Sequence, residues 1–132
     1  MASIFTKIVN GEIPCYKVAE DEKHLAFLDI NPLKQGHTLV IPKKEVDYLF
    51  DIESGELQAL SAFAQKVAKG IDKVIECERV GVAVIGLEVP HAHIHLIPIN
   101  SVGDIDFSKP KLELSKDAFA AIAKSISEAI IL

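Results

Sequence analysis

The chain has no tryptophan, one methionine and two cysteines among its 132 residues. Cys15 and Cys77 are too few for a disulfide framework and show neither CxxC nor Cys/His zinc spacing, so a disulfide-stapled domain and a zinc finger are excluded. Two reduced thiols are expected, and with them a cytoplasmic location. Positive charge is also short. Fourteen Lys and Arg against 19 Asp and Glu leave a net charge of −5, so no broad nucleic-acid surface is expected. An anionic ligand has to be held by a local device that works against that field. No apolar run approaches the roughly 20 residues of a membrane span. The N-terminal residues carry no apolar h-region and no small-residue cleavage site, so no signal peptide and no membrane partner are expected. What is present is ordinary globular composition, 49% hydrophobic and 25% charged, which excludes a disordered chain. The length suits a single domain over 1–132.

Punctuation and periodicity divide the chain. Ser3 suits an N-cap and Gly11 a C′ position, with Ile4, Phe5, Ile8 and Val9 as the apolar face of a short helix between them. Tyr16–Ala19 and His24–Asp29 flank a polar turn and read as a hairpin, with His24 expected in solvent. Thr38–Ile41 is a β-branched strand that stops at Pro42. Ser54–Cys77 is the clearest helix, because Leu57, Leu60, Ala64, Val67, Ile71 and Val74 recur at spacings of three and four. Gly70 inside it points to a kink or a close packing contact. Val80–Ile85 and Ala92–Ile99 read as strands, and Ser115 caps a terminal helix with Phe119, Ile122, Ile126 and Ala129 on one face. Most strand connections are too short for parallel crossovers, so the expected class is α+β, an antiparallel sheet of about five strands with helices packed on it. The apolar end Ala129-Ile130-Ile131-Leu132 suggests burial in an interface.

Three of the five histidines fall in Pro90-His91-Ala92-His93-Ile94-His95-Leu96-Ile97-Pro98. On a strand, residues i, i+2 and i+4 share a face. His91, His93 and His95 are then expected on one side, with Ala92, Ile94 and Leu96 packed on the other. Such a row is either a site or a satisfied polar cluster. As a metal site it is poor, since Cα atoms four residues apart on a strand are about 13 Å apart and Zn–N bonds are about 2.0–2.1 Å. No metal is expected. Nucleophilic chemistry suits it better. A carbonyl holding Nδ1–H leaves Nε2 free to attack phosphorus, and a neighbouring imidazole can stabilise the phosphate or protonate a leaving group.

His91-Ala92-His93-Ile94-His95-Leu96-Ile97 matches the His-φ-His-φ-His-φ-φ signature (φ apolar) of the histidine triad, or HIT, superfamily. Ile4-Phe5, Gly11-Glu12-Ile13-Pro14, Ala26-Phe27-Leu28-Asp29-Ile30, Gly36-His37 and Leu39-Val40-Ile41-Pro42-Lys43 resemble its nucleotide-binding Hint branch. The similarity covers roughly residues 3 to 100. It implies a homodimer whose sheet continues across the two subunits. It also implies hydrolysis of nucleoside 5′-phosphoramidates or related nucleotides through a nucleotidyl-histidine intermediate, with no cofactor. By the same resemblance His93 is the nucleophile, His91 orients it through its backbone carbonyl, His95 contacts the phosphate, and His37 supports the triad from behind. Asp29 falls on the ribose-binding acid. The base pocket falls on Ile4, Phe5, Ile8, Ile13, Phe27, Leu28, Ile30 and Leu39, the last two groups of contacts being those to a purine nucleotide.

The chain departs from the family in front of the triad, where it reads Val84-Ile85-Gly86-Leu87-Glu88-Val89-Pro90. Gly86 and Val89 align, but Leu87 replaces a Gln, the preceding Asn is absent, and Glu88 stands where a small hydroxyl residue is usual. A carboxylate beside a phosphate is repulsive unless protonated, turned away or paired. Glu88 is therefore read as a proton donor to the leaving group or a selector of a cationic one. The same departures leave open a non-catalytic nucleotide sensor or scaffold, and the Fhit-like cleavage of dinucleoside polyphosphates is a third reading.

Overall fold

In the computed structural model, which describes residues 2–132, the apolar runs pair into one antiparallel sheet; Met1, the first residue of the expected domain, lies outside the described residues. In chain order the elements are α1 (Ile4–Val9), β1 (Lys17–Glu20), β2 (His24–Leu28), β3 (Thr38–Pro42), a 3-10 turn at Leu49–Asp51, α2 (Ser54–Val74), β4 (Arg79–Ala83), β5 (Ile94–Ile99), a second 3-10 turn at Val102–Asp104, and α3 (Lys116–Ala129). The strands lie in the order β1-β2-β3-β5-β4, every pair antiparallel. This is the expected α+β class with shifted ends. β5 begins at Ile94 instead of Ala92, β4 is Arg79–Ala83 instead of Val80–Ile85, and α2 stops at Val74 instead of running on to Cys77.

Strand parity sorts the sheet into two faces. One face carries Ala26, Leu28, Val40, Ile94 and Leu96, which meet Leu60, Phe63, Ala64, Val67 and Ile71 of α2 and Phe119, Ala123 and Ile126 of α3 in the main core. The other carries Leu25, Phe27, Leu39 and Ile41, and packs against Phe5 of α1 and its neighbours Ile8 and Val9. The second cluster is smaller and forms the floor of the site described below. Both faces of β2 are covered, which is why all five of its residues are buried. The register Leu39↔His95 between β3 and β5 brings His37, two residues before Leu39 and on the same side, toward His95.

Capping sets the short helix. Ser3 accepts a hydrogen bond from the Thr6 amide and Gly11, at φ 79°, takes the left-handed conformation that ends α1. His24 is a correction: it is buried, not in solvent. Its ring stacks on Phe63 at 5.1 Å and its Nδ1 meets the Asp21 carboxylate, so the first residue of β2 points into the main core. The apolar C-terminal run also divides. Ile130 packs on the core, while Ile131 and Leu132 remain exposed.

Gly70 of α2 marks close packing with the end of α3. A Cβ there would collide with Cγ1 of Ile130 and approach the Ile126 carbonyl at 3.4 Å. Helix propensity alone would make Gly70→Ala stabilising by about 1 kcal/mol; overpacking reverses the sign, and a net loss of about 1–3 kcal/mol is expected in urea unfolding. The loss shrinks when Gly70→Ala is combined with Ile130→Ala, and a purely additive double mutant would contradict the contact.

Candidate active site

The triad is organised by where each imidazole sends its one proton. Nδ1 of His93 lies 2.8 Å from the backbone carbonyl of His91. A carbonyl only accepts, so Nδ1 carries the hydrogen and Nε2 keeps the lone pair. The amide of Leu33 donates to Nδ1 of His37 at 3.0 Å, which places the His37 proton on Nε2. That nitrogen is 2.9 Å from Nδ1 of His95, which must accept and so carries its own proton on Nε2. Among the described residues neither Nε2 of His93 nor Nε2 of His95 has a protein hydrogen-bond partner, and both rings line the cleft. One offers a lone pair and the other an N–H to whatever occupies it.

His91 is held from two sides. Its Nε2 donates to the Pro42 carbonyl at 2.8 Å and its Nδ1 receives the Ser3 hydroxyl at 2.9 Å. Ser3 therefore both caps α1 and fixes this ring. Glu45 braces the arrangement by accepting from the Thr6 hydroxyl and the Ser3 amide, each at 2.6 Å, and these bonds pull its carboxyl down to about 2. The expectation of three histidines on one strand face is corrected here. His91 and His93 precede β5, His91 does not line the cleft, and only His95 is a strand residue. The His91 and Ala92 amides bond the Val89 and Val46 carbonyls instead of a neighbouring strand, so β5 begins only at Ile94, while Ala92, Ile94 and Leu96 do pack together in the main core.

The cleft has a volume of about 480 Å³, the size of a small-molecule site. Ile4, Phe5, Ile8 and Ile13 line it from α1 and the turn after it, and Phe27, Asp29, Ile30 and Leu39 from the sheet; Leu28 borders it as well, although its side chain packs in the main core on the other face. Gly86, Glu88 and Val89, from the segment before the triad, close the third side. His37 lies behind His95 and does not reach the cleft. Phe5 stands edge-on to His93 with ring centres 5.0 Å apart. Asp29 takes the Asn31 amide on one oxygen at 2.8 Å, and its other oxygen is 3.6 Å from His37 Nε2. Burial pushes its carboxyl up.

Asp29, His37 and His95 each bring one ligand atom within 4.8 Å of the others. The carboxylate that the triad lacks in sequence comes from the end of β2. The donor set is open, and the two nitrogens that face each other already share a proton, so an ion here would have to displace it.

Sequence reasoning missed Phe107 and Lys111, which reach the cleft from the segment after β5. Phe107 packs edge-on to His95 at 4.9 Å. No spacing rule marks them. It also missed Ser3, Thr6 and Glu45 as supports of His91. The capping role of Ser3 was legible, but its contact with His91 spans 88 positions.

Desolvation, with His95 nearby, lowers His37 to about 3; desolvation, with His93 nearby, lowers His95 to about 4. Both start from 6.5 when unfolded, so below that pH the unfolded chain binds more protons than the folded one. Stability is fully present above about 6.5 and is lost as pH falls toward 4, with a slope of up to about 1.4 kcal/mol per pH unit for each group. Asp29, with its raised carboxyl, acts in the opposite sense at the bottom of that window. Urea unfolding between pH 7 and pH 4.5 is expected to show this decline, and His37→Gln is expected to flatten it. Equal slopes in the two proteins would contradict the assignment.

Comparison with known proteins agrees with this geometry. Residues 10–102 match the family model described as the HIT domain. A HIT-like protein of Borreliella burgdorferi is 36% identical over 132 residues, covering 94% of this chain and 95% of the relative. The adenosine 5′-monophosphoramidase of Schizosaccharomyces pombe is 34% identical over 133 residues, covering 98% and 99%. The crystal structure of a Hit-like protein from Bartonella henselae superposes with a TM-score of 0.83 at 32% identity, covering 97% of this chain and 96% of that one. With the triad, the five-stranded sheet and these matches together, the chain belongs to the HIT family.

Proposed function

We propose that the chain is a nucleotide-binding hydrolase that cleaves nucleoside 5′-phosphoramidates, or related nucleoside–phosphate bonds, through a nucleotidyl-His93 intermediate. The observation that carries this reading is the 2.8 Å bond from His93 Nδ1–H to the His91 carbonyl, which leaves a lone pair on Nε2 at the cleft. The S. pombe relative, named an adenosine 5′-monophosphoramidase, supports the substrate class.

In the first step His93 Nε2 attacks the α-phosphorus. The N–P bond to His93 forms as the P–N bond of the substrate breaks, and the departing nitrogen takes a proton from water and leaves as an amine. The positive charge on the substituted imidazole is shared with the His91 carbonyl through Nδ1–H. His95 Nε2–H donates to a non-bridging phosphate oxygen, where negative charge develops. In the second step the hydroxide left by that water attacks phosphorus, the His93–phosphorus bond breaks with its electron pair returning to Nε2, and the nucleoside monophosphate leaves with His93 neutral again. Asp29 holds the ribose hydroxyls, and the apolar wall from Ile4 to Ile13, with Phe27, Ile30 and Leu39, takes the purine. Glu88 stands exposed at the rim, where it favours a cationic leaving group. Residues 1–132 act as one HIT-like domain.

One observation favours the binding-only alternative. Leu87, in the place of the family's Gln, is 88% exposed and its side chain gives a phosphate no donor. The two readings separate on turnover. Wild-type protein is expected to hydrolyse adenosine 5′-phosphoramidate, and His93→Ala to lose at least about a thousandfold in kcat/KM while still binding AMP. Equal rates in both proteins, or AMP binding without turnover in the wild type, would overturn the hydrolase reading.

A homodimer is part of the same proposal. β4 is an edge strand with a free side, and Val82, Val84 and Ile85 on and after it are exposed, as an interface strand would be. Light scattering is expected to give twice the chain mass, and Val82→Lys to shift the protein toward monomer. A monomeric wild type would remove this part of the proposal.

Among the described residues no helix is long and apolar enough to cross a membrane. The free cysteines Cys15 and Cys77 support a cytoplasmic protein.

A further inference from the structure

We propose that Lys111, carried to the cleft by the segment after β5, is the cation that holds the substrate's phosphate. The inference rests on the nucleotide-site reading above and names a contact that reading lacks.

The electrostatic problem is plain. The chain carries a net charge of −5, and the two carboxylates that line the cleft, Asp29 and Glu88, both oppose an incoming phosphate. Burial lowers His95 to about 4 and His91 below its ordinary range, so at neutral pH these rings contribute dipoles rather than charge. Among the described residues Lys111 is the one Lys or Arg in the lining.

Its charge is also uncommitted. Lys34 pairs with Asp104, Lys17 and Lys43 with Glu20, and Lys44 with Glu56. Among the described residues Lys111 is in no ion pair. Its ammonium donates instead to two carbonyls, Phe107 at 2.6 Å and Lys109 at 3.0 Å. Carbonyls satisfy two of its three N–H groups without cancelling the charge, and the third is left for a ligand. The charge is felt inside the site, where it pulls the Asp29 carboxyl down against burial and helps keep His37 neutral.

The support is rigid, so little order has to be created on binding. Asp104 accepts from the Asn100 and Ser101 amides at 2.7 and 3.1 Å and pairs with Lys34 at 3.3 Å. Lys109 Nζ bonds the Gly103 carbonyl at 2.6 Å, and the Leu112 amide bonds the Pro32 carbonyl at 2.8 Å. Phe107 joins the two phosphate-facing groups, with its ring against His95 and its carbonyl on Lys111.

Calorimetric titration of AMP and of adenosine into wild type, Lys111→Gln and Lys111→Arg at low and high salt tests this. Wild type is expected to bind AMP more tightly than adenosine, with the gap narrowing in salt. Lys111→Gln is expected to weaken AMP at least about tenfold while adenosine stays within about twofold, and Lys111→Arg to retain most of the AMP preference. An unchanged AMP-to-adenosine ratio in Lys111→Gln would overturn the inference and leave the nucleotide site standing. Equal loss of both ligands would assign Lys111 to holding the segment in place and overturn it too. Binding of neither ligand by the wild type would overturn the nucleotide-site reading itself.

Discussion

A neutral imidazole has one N–H and one lone pair, and a site built from imidazoles works only if every ring is told which nitrogen is which. Here the instruction comes from the backbone. The His91 carbonyl assigns His93 and the Leu33 amide assigns His37, which in turn assigns His95. The Pro42 carbonyl and the Ser3 hydroxyl assign His91. The assignments of His37 and His95 require an accepting ring nitrogen, hence an uncharged ring, and burial favours the uncharged form of His37, His91 and His95. The low dielectric that keeps the rings neutral also strengthens the bonds between them.

The sheet makes this possible because it is apolar on both faces. One face is closed by α2 and α3 and supplies most of the buried surface. The other is only partly covered, by α1, and the uncovered part is the cleft. Cleft wall and second core are therefore the same residues: Phe5, Phe27 and Leu39 pack against one another and also line the cleft. The register of β3 against β5 then decides which polar groups look into it.

An acidic chain that handles a phosphate needs its positive charge in one place. Lys17, Lys34, Lys43 and Lys44 are matched to carboxylates across short distances. The pairing of Lys34 with Asp104 has a second effect, since it pins the start of the segment that brings Phe107 and Lys111 over the site. Charge pairing at the surface and charge availability in the cleft are linked through that segment.

Much of this was legible in the residues. The α+β class followed from apolar spacing and short connections, the capped helix from Ser3 and Gly11, and the triad from strict alternation of His with apolar residues. Those are local patterns, and local geometry decides them. Gly70 announced a close contact but not its partner. The strand order, with β5 between β3 and β4, was not legible, because it depends on where α2 returns the chain. The burial of His24 depends on Phe63, and the bracing of His91 on Ser3, Thr6 and Glu45, all distant in sequence. So does the meeting of Asp29, His37 and His95, and the arrival of Phe107 and Lys111. The sequence by itself determined which residue types stand at which spacing along each strand and helix. Only the tertiary structure decided which nitrogen of His93 and of His95 is left free at the cleft and that Lys111 lines it too, because those depend on hydrogen bonds between segments that meet only after the sheet has formed.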